Sequence, residues 1–354
     1  MGAKYRFVGA LVAALTVTGM AGAQTPAPGL LETYRDWTIG CDNRGRCEAV
    51  ALLPEAGGWS QDAPSLGIVR DAGAGAEVEI WVSLASRERR DIAFLVDGRK
   101  IATAPAANGA ANGEARLRGP QASALALAIA RGAAMEVRAG TKLLGRPSLS
   151  GSAAALRYMD ARQGRAGTTT ALVATGPLGP GAVRPAAAAP SVKRARVPVD
   201  MRAPAALWRE ELTDVGTLTG CADAMKDAPP PAQYRLSGAE TLILVPCGSG
   251  AYNATAVPVI AMGTAGRRAF HVAPFDYPPG WSADPKHPML VNAGFTPDSA
   301  RLESFAKGRG IGDCGGSEAY VWDGARFRLV EARAMRECRG ARRWITTWQA
   351  RVTE

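Results

Sequence analysis

Three short stretches carry residue types that could do chemistry. Gly315-Gly316-Ser317-Glu318-Ala319 approaches the G-x-S-x-G turn that exposes a nucleophilic serine. That turn needs a strand before it and a helix after it, whereas Cys314 precedes this one and a strand-like run follows. Ser304-Phe305-Ala306-Lys307 matches S-x-x-K, in which the lysine activates the serine from one helical turn away. The segment reads as a strand, where residues three apart lie on opposite faces, and no K-T-G follows. His271 and His287, the two histidines of the chain, have no convincing serine and carboxylate partners for general-base work. Asp313 and Glu318 flank a Gly-Gly loop and are the carboxylate pair to test for glycoside hydrolysis. The plainer expectation for them is a turn-capping aspartate and an exposed strand glutamate. With neither a phosphate loop nor a dinucleotide fingerprint in the sequence, no catalytic residue and no cofactor are expected.

Binding is the other chemistry on offer. Trp59 follows Gly57-Gly58 and Trp281 follows Pro278-Pro279-Gly280. Loop tryptophans of this kind stack on sugars or peptides, or fold back as caps on a core. Lys193, Arg194 and Arg196 belong to the basic run Lys193-Arg194-Ala195-Arg196, which suits anionic envelope polymers or lipid headgroups, the plainer expectation being a solvated linker. The formal charge is +10, and residues 176–204, with six prolines and an alanine run, carry a net +4 of it. That composition is extended and partly polyproline-like and marks a domain boundary. The segments on either side are close to neutral, which argues against a nucleic-acid partner.

The elements that must position these residues are short strands rich in Val, Ile, Leu and Trp, divided by Gly, Pro, Asp and Asn. In the first half they fall at 34–40, 47–53, 65–70, 77–84, 92–96, 100–103, 134–138 and 168–174. Asp97-Gly98 is a hairpin turn. Helical patterns occupy 121–131 and 152–163, the latter capped by Ser152. In the second half, helices are expected at 204–212 and 221–226. Strands are expected at 241–246, 252–262, 268–274, 289–295, 301–306, 318–322, 326–332 and 343–351, with Asp323-Gly324 turning a hairpin. The expected fold is mainly β with a few short helices. It comprises two β-rich lobes of sandwich or meander type, residues 24–175 and 205–354, joined by a Pro/Ala-rich basic linker at 176–204.

Apolar residues at 47% and charged residues at 21% of 354 are globular proportions. At the start of the chain, Lys4 and Arg6 precede an apolar stretch over 7–17, and Ala21-Gly22-Ala23 offers an A-x-A site. This pattern is that of a secretory signal occupying residues 1–23 and cleaved after Ala23. No later apolar run reaches the ~20 residues that span a bilayer, so no transmembrane segment is expected. Six cysteines, Cys41, Cys47, Cys221, Cys247, Cys314 and Cys338, are then bound for an oxidising compartment and read as three disulfides. Of the fifteen possible pairings, the expected one joins sequence neighbours: 41 with 47, 221 with 247, 314 with 338. A metal site is not expected, because no C-x-x-C occurs and only two histidines could assist.

The stretches YRDWTIGCDNRGRCEA (34–49), SLSGSAAALRYMDARQGRAGTTTALVATG (148–176) and GDCGGSEAYVWDGARFRLVEARAMRECRG (312–340) resemble the domain of unknown function 1176 family of proteobacterial periplasmic proteins. The front half is also similar to the invasion-associated locus B family, through its D-W-x-x-x-C start and its S-L-x-G-x-x-x-A-L segment. These resemblances imply an exported, periplasmic, disulfide-bonded, β-rich envelope protein, with Cys314 and Cys338 bracketing a hairpin, and they assign no activity. The expected function is non-catalytic binding or accessory work on an envelope component or protein partner. The alternatives are a cell-wall hydrolase using the Asp313 and Glu318 carboxylates, and a secreted hydrolase inhibitor presenting the segment 313–317.

Overall fold

A computed structural model describes residues 25–56, 62–85, 88, 90–105, 114–197, 204–280, 282 and 286–354. The expected signal segment, Trp59 and Trp281 lie outside the described residues. In chain order the first half holds β1 (Leu31–Tyr34), β2 (Trp37–Cys41), β3 (Cys47–Ala51), β4 (Ser65–Arg70), β5 (Val78–Ser83), β6 (Ile92–Val96), β7 (Arg99–Ala104) and β8 (Glu114–Arg118). There follow α1 (Gly119–Arg131), β9 (Met135–Ala139), β10 (Lys142–Gly145) and α2 (Ser152–Arg162). Six strands form one sheet in the order β1-β2-β3-β4-β5-β8, and four form another in the order β10-β9-β6-β7. Asp97 and Gly98 both take positive φ, 49° and 76°, as the tight turn between β6 and β7 requires. Asp97 Oδ1 also accepts the Ala133 and Ala134 N–H groups, tying the turn to the start of β9. The apolar stripe of α1, Ala122, Leu125, Ala126 and Ile129, is buried between the sheets.

Several expected boundaries shift for identifiable reasons. The strand expected at 34–40 is a hairpin of β1 and β2, turned at Arg35, which has φ 53°. Ser152 is the first helical residue of α2 rather than its cap. Gly151 takes the cap position at φ 96°, where a Cβ would collide with the Tyr34 carbonyl. The strand expected at 168–174 is a loop, because the Asp160 carboxylate on α2 accepts the N–H groups of Leu172, Val173 and Ala174. Those donors are therefore not available to a ladder.

The second half holds β11 (Ser191–Lys193), α3 (Arg209–Thr219), α4 (Ala222–Lys226), β12 (Ala232–Arg235), β13 (Glu240–Ser249), β14 (Ala254–Met262), β15 (Ala269–Val272) and β16 (Leu290–Val291). It continues with β17 (Gly294–Thr296), β18 (Arg301–Lys307), β19 (Gly315–Trp322), β20 (Phe327–Met335), β21 (Ile345–Gln349) and β22 (Arg351–Thr353). One sheet runs β12-β13-β14-β15 with β16 beside β14, the other β17-β18-β19-β20-β21. Their facing sides share a core of Leu242, Leu244, Ile260, Leu302, Tyr320, Trp322, Phe327 and Trp348. The helix expected at 204–212 starts instead at Arg209. Glu211 accepts the Trp208 N–H at 2.9 Å, fixing the start, and Gly220 at φ 70° stops the helix. Of the described residues 40% are in strands and 15% in helices, with no closed barrel among the described strands. Among those strands, β11 with β22 is the one parallel pair.

The two halves share apolar surface. β2, β3 and β4 are buried at every residue, which a sheet with one wet face does not show. One face meets α1, α2 and the second sheet. The other contributes Val50, Val69 and Trp81 to a cluster with Cys314, Met335, Trp344 and Ile345 of the second half. The linker lies along this assembly: Arg184 donates to the Arg162 carbonyl, and Val192 of β11 packs on Ala319, Val321 and Val330.

Candidate functional site

Glu318 lies on β19 two residues before Tyr320 and four before Trp322, so alternation turns all three toward the space between the second-half sheets. Tyr320 and Trp322 are core, whereas Glu318 is half-buried at its margin. Register places Ser304 of β18 and Ala332 of β20 directly opposite Glu318, and the neighbouring row is Ala306, Gly316 and Ala334. Small side chains therefore surround the carboxyl on the sheet. Among the described residues, a Cβ placed on Gly316 would meet only Glu318 Oε1 at 3.8 Å and the Arg333 carbonyl at 3.9 Å, so they leave the space above this glycine open.

The segment after β15 crosses over this trough. Gly280 N–H donates to Glu318 Oε1 at 3.3 Å, and a Cβ at Gly280 would come within 2.7 Å of that oxygen. Phe275 packs edge-on against Tyr320 with ring centroids 4.9 Å apart, and stacks on Phe327 at 5.3 Å. Asp276 accepts from Arg328 Nε at 2.7 Å and from the Leu329 N–H at 2.8 Å. Those bonds fix the backbone that carries Tyr277.

Burial pushes the Glu318 carboxyl up to about 7, against the opposing pull of the Gly280 N–H and the Ser304 hydroxyl. Burial, then Glu318, Tyr277 and Asp276, push the Tyr320 phenol far above its ordinary value. Burial and Glu318 raise Tyr277 as well. The three acids are thus within electrostatic reach of one another. The Tyr320 hydroxyl is buried without a hydrogen-bond partner among the described residues. Other buried carboxylates of this half, Glu211, Asp276 and Asp313, each pair with an arginine, namely Arg268, Arg328 and Arg309. Among the described residues none pairs with Glu318.

Asp313 does different work. Arg309 clasps it with Nε at 2.7 Å and Nη2 at 2.5 Å, and Gly340 N–H donates to Oδ2 at 2.7 Å. Burial alone would raise this carboxyl, but the Arg309 guanidinium and the Gly340 N–H hold it below the usual range. Both oxygens are occupied in bracing the loop closed by Cys314–Cys338, so no acid–base pair with Glu318 results. Asp313 and Cys314 are buried and Gly315–Trp322 is a central strand paired on both sides, so 313–317 is not a protruding loop. Ser304 and Lys307 fall on opposite faces of β18, since Ser304 is buried at the inter-sheet side. His271 and His287 are exposed.

Lys193 and Arg196 are exposed, while Arg194 donates to the Asp298 carbonyl at 2.7 Å and pairs with Glu354. A cleft of about 200 Å³ opens between the halves, lined by Leu53, Pro54, Pro64, Arg146, Ser148 and Arg339. Arg339 is spent there on the Leu53 and Arg35 carbonyls and on Asp36. Among the described residues no three His, Cys, Asp or Glu side chains are grouped to hold a metal.

Such a chain is a disulfide-stapled antiparallel β protein with a buried acidic site under a crossing loop. It belongs to the family described as Protein of unknown function (DUF1176), whose model matches residues 31–351. That match covers the quoted stretches on which the resemblance rests. A similar protein is the Uncharacterized protein YpfG of Escherichia coli (strain K12), 32% identical over 233 residues. Those residues are 63% of this chain and 64% of that protein, less than two thirds of the relative's length. The crystal structure of invasion associated protein b from Bartonella henselae is similar over 38% of this chain and 98% of that one. Identity there is 16% and the TM-score 0.30, too low to settle fold or role.

Proposed function

We propose that this is an exported, periplasmic accessory protein that binds an envelope component without transforming it. One observation carries the reading. The carboxylates available for hydrolysis are divided between a structural brace, Asp313, and a solitary acid, Glu318. Hydrolysis of a glycosidic bond needs two carboxylates addressing one bond. Three disulfides formed within short stretches support an oxidising compartment, as does the N-terminal signal pattern. Asp313–Ser317 gives an inhibitor no loop to present. The test is retention of the oxidised chain, freed of residues 1–23, on purified sacculi and by proteins of a periplasmic extract. Specific, saturable retention is expected. Release of soluble wall fragments would overturn the non-catalytic reading, and absence of retention on both would overturn the binding one.

A further inference from the structure

We infer that the trough beside Glu318 is a binding site for a primary ammonium group carried by an envelope molecule. This deepens the binding reading above and rests on it. Three observations converge. Glu318 is a half-buried carboxyl without a basic partner among the described residues, in a half where Glu211, Asp276 and Asp313 each have an arginine. A buried charge is retained where something compensates it. The Tyr320 hydroxyl, on a residue with 0% exposure, has no partner among the described residues and faces the same acid. Buried polar groups are ordinarily satisfied. The described residues leave the space above Gly316 open, and its neighbours Ala306, Ala332 and Ala334 are small.

Chemistry narrows the occupant. An ammonium has three donors and no acceptor, matching the Glu318 carboxylate, whose Oε1 borders the space above Gly316. Its charge supplies what Glu318 lacks. A divalent metal fits poorly, since among the described residues no three His, Cys, Asp or Glu side chains are grouped to hold one. An anionic ligand would meet Glu318 with no cation to offset it. Binding of the ammonium must deprotonate Glu318, which burial holds protonated more than an ordinary carboxyl, so affinity should rise with pH through neutrality.

The probes are n-butylammonium and its neutral isostere n-pentane, replaced for solubility by n-butanol, titrated calorimetrically into the full oxidised chain at pH 8. Saturable binding of n-butylammonium and weaker binding of n-butanol are expected. Glu318→Gln should weaken n-butylammonium on the order of tenfold or more, the loss of one charge-assisted contact. Gly316→Val, which fills the open space, should abolish it, with circular dichroism and thermal melts confirming that both variants fold. Absence of saturable binding, equal binding by the parent and Glu318→Gln, or butanol binding as tight as butylammonium would each overturn the inference. Retention on sacculi without ammonium binding removes this inference and leaves the accessory reading intact. Wall-fragment release removes the accessory reading, whatever the calorimetry shows.

Discussion

Glu318 illustrates how one side chain can couple a site to stability. Its folded pKa, raised from 4.5 to about 7, lies above the unfolded one, so the folded chain binds more protons between these values. Its contribution to stability is therefore fully present below about pH 4.5 and is lost as pH rises through 7. The loss amounts to roughly 3 kcal/mol at most, at about 1.4 kcal/mol per pKa unit. Glutamine cannot ionise, so Glu318→Gln removes the loss. Thermal melts of parent and variant should show the variant gaining on the parent from pH 5 to pH 8. An identical difference at the two pH values would contradict the buried-acid assignment. Glu48 is also raised by burial, opposed by Arg343 and Trp81, but it titrates in parent and variant alike and cancels in the comparison.

Strands and helices stand where their neighbours in space allow. The Cys314–Cys338 disulfide joins the start of β19 to the chain after β20, across the open end of their hairpin. Replacing both cysteines by serine should cost roughly 3–4 kcal/mol on the chain-entropy estimate for a loop of this size, read as a fall in the urea midpoint under oxidising conditions. A change under 1 kcal/mol would mean that Asp313, Arg309 and Gly340 alone close the loop. The disulfide pairing was legible because each cysteine's partner is its neighbour in sequence, and the strands of β4, β5, β6, β19 and β20 because their β-branched runs end in turn residues. β8 and β12 were missed: Glu114-Ala-Arg-Leu-Arg and Ala232-Gln-Tyr-Arg are short, mixed strands that exist through pairing with β5 and β13. The loop at 168–174 was misread because its competitor, Asp160, lies on another element. In the same way Glu318 could be singled out, but Tyr277 and Ser304 reach it only through a crossing segment and a strand register. Neither is encoded in local spacing.

At the scale of the chain, the decisive fact is that its halves join through apolar surface and partly buried ion pairs rather than disulfides. The disulfides 41–47, 221–247 and 314–338 each stay within one half. Across the junction, the Arg343 guanidinium stands 4.8 Å over the Trp81 ring and Arg339 pairs with Asp36. The Asn43 side chain acts as a short strand, donating to the Gln349 carbonyl at 3.0 Å and accepting its N–H at 2.8 Å. Buried aliphatic and aromatic side chains contribute on the order of 1.5–3 kcal/mol each, and the shared cluster includes Leu31, Val50, Leu52, Val69, Met335, Trp344 and Ile345. Large apolar junctions of this kind suppress the independent motion that is otherwise the rule for linked domains. A specific protease site placed in the exposed run Ala186–Ala188 should therefore yield two fragments that co-elute by size exclusion in native buffer and separate in urea. Separation without denaturant would mean that the linker, not the buried face of the six-stranded sheet, holds the molecule together. Co-elution would make the whole chain the binding unit, since burial on both faces of β2, β3 and β4 requires the second half to be in place.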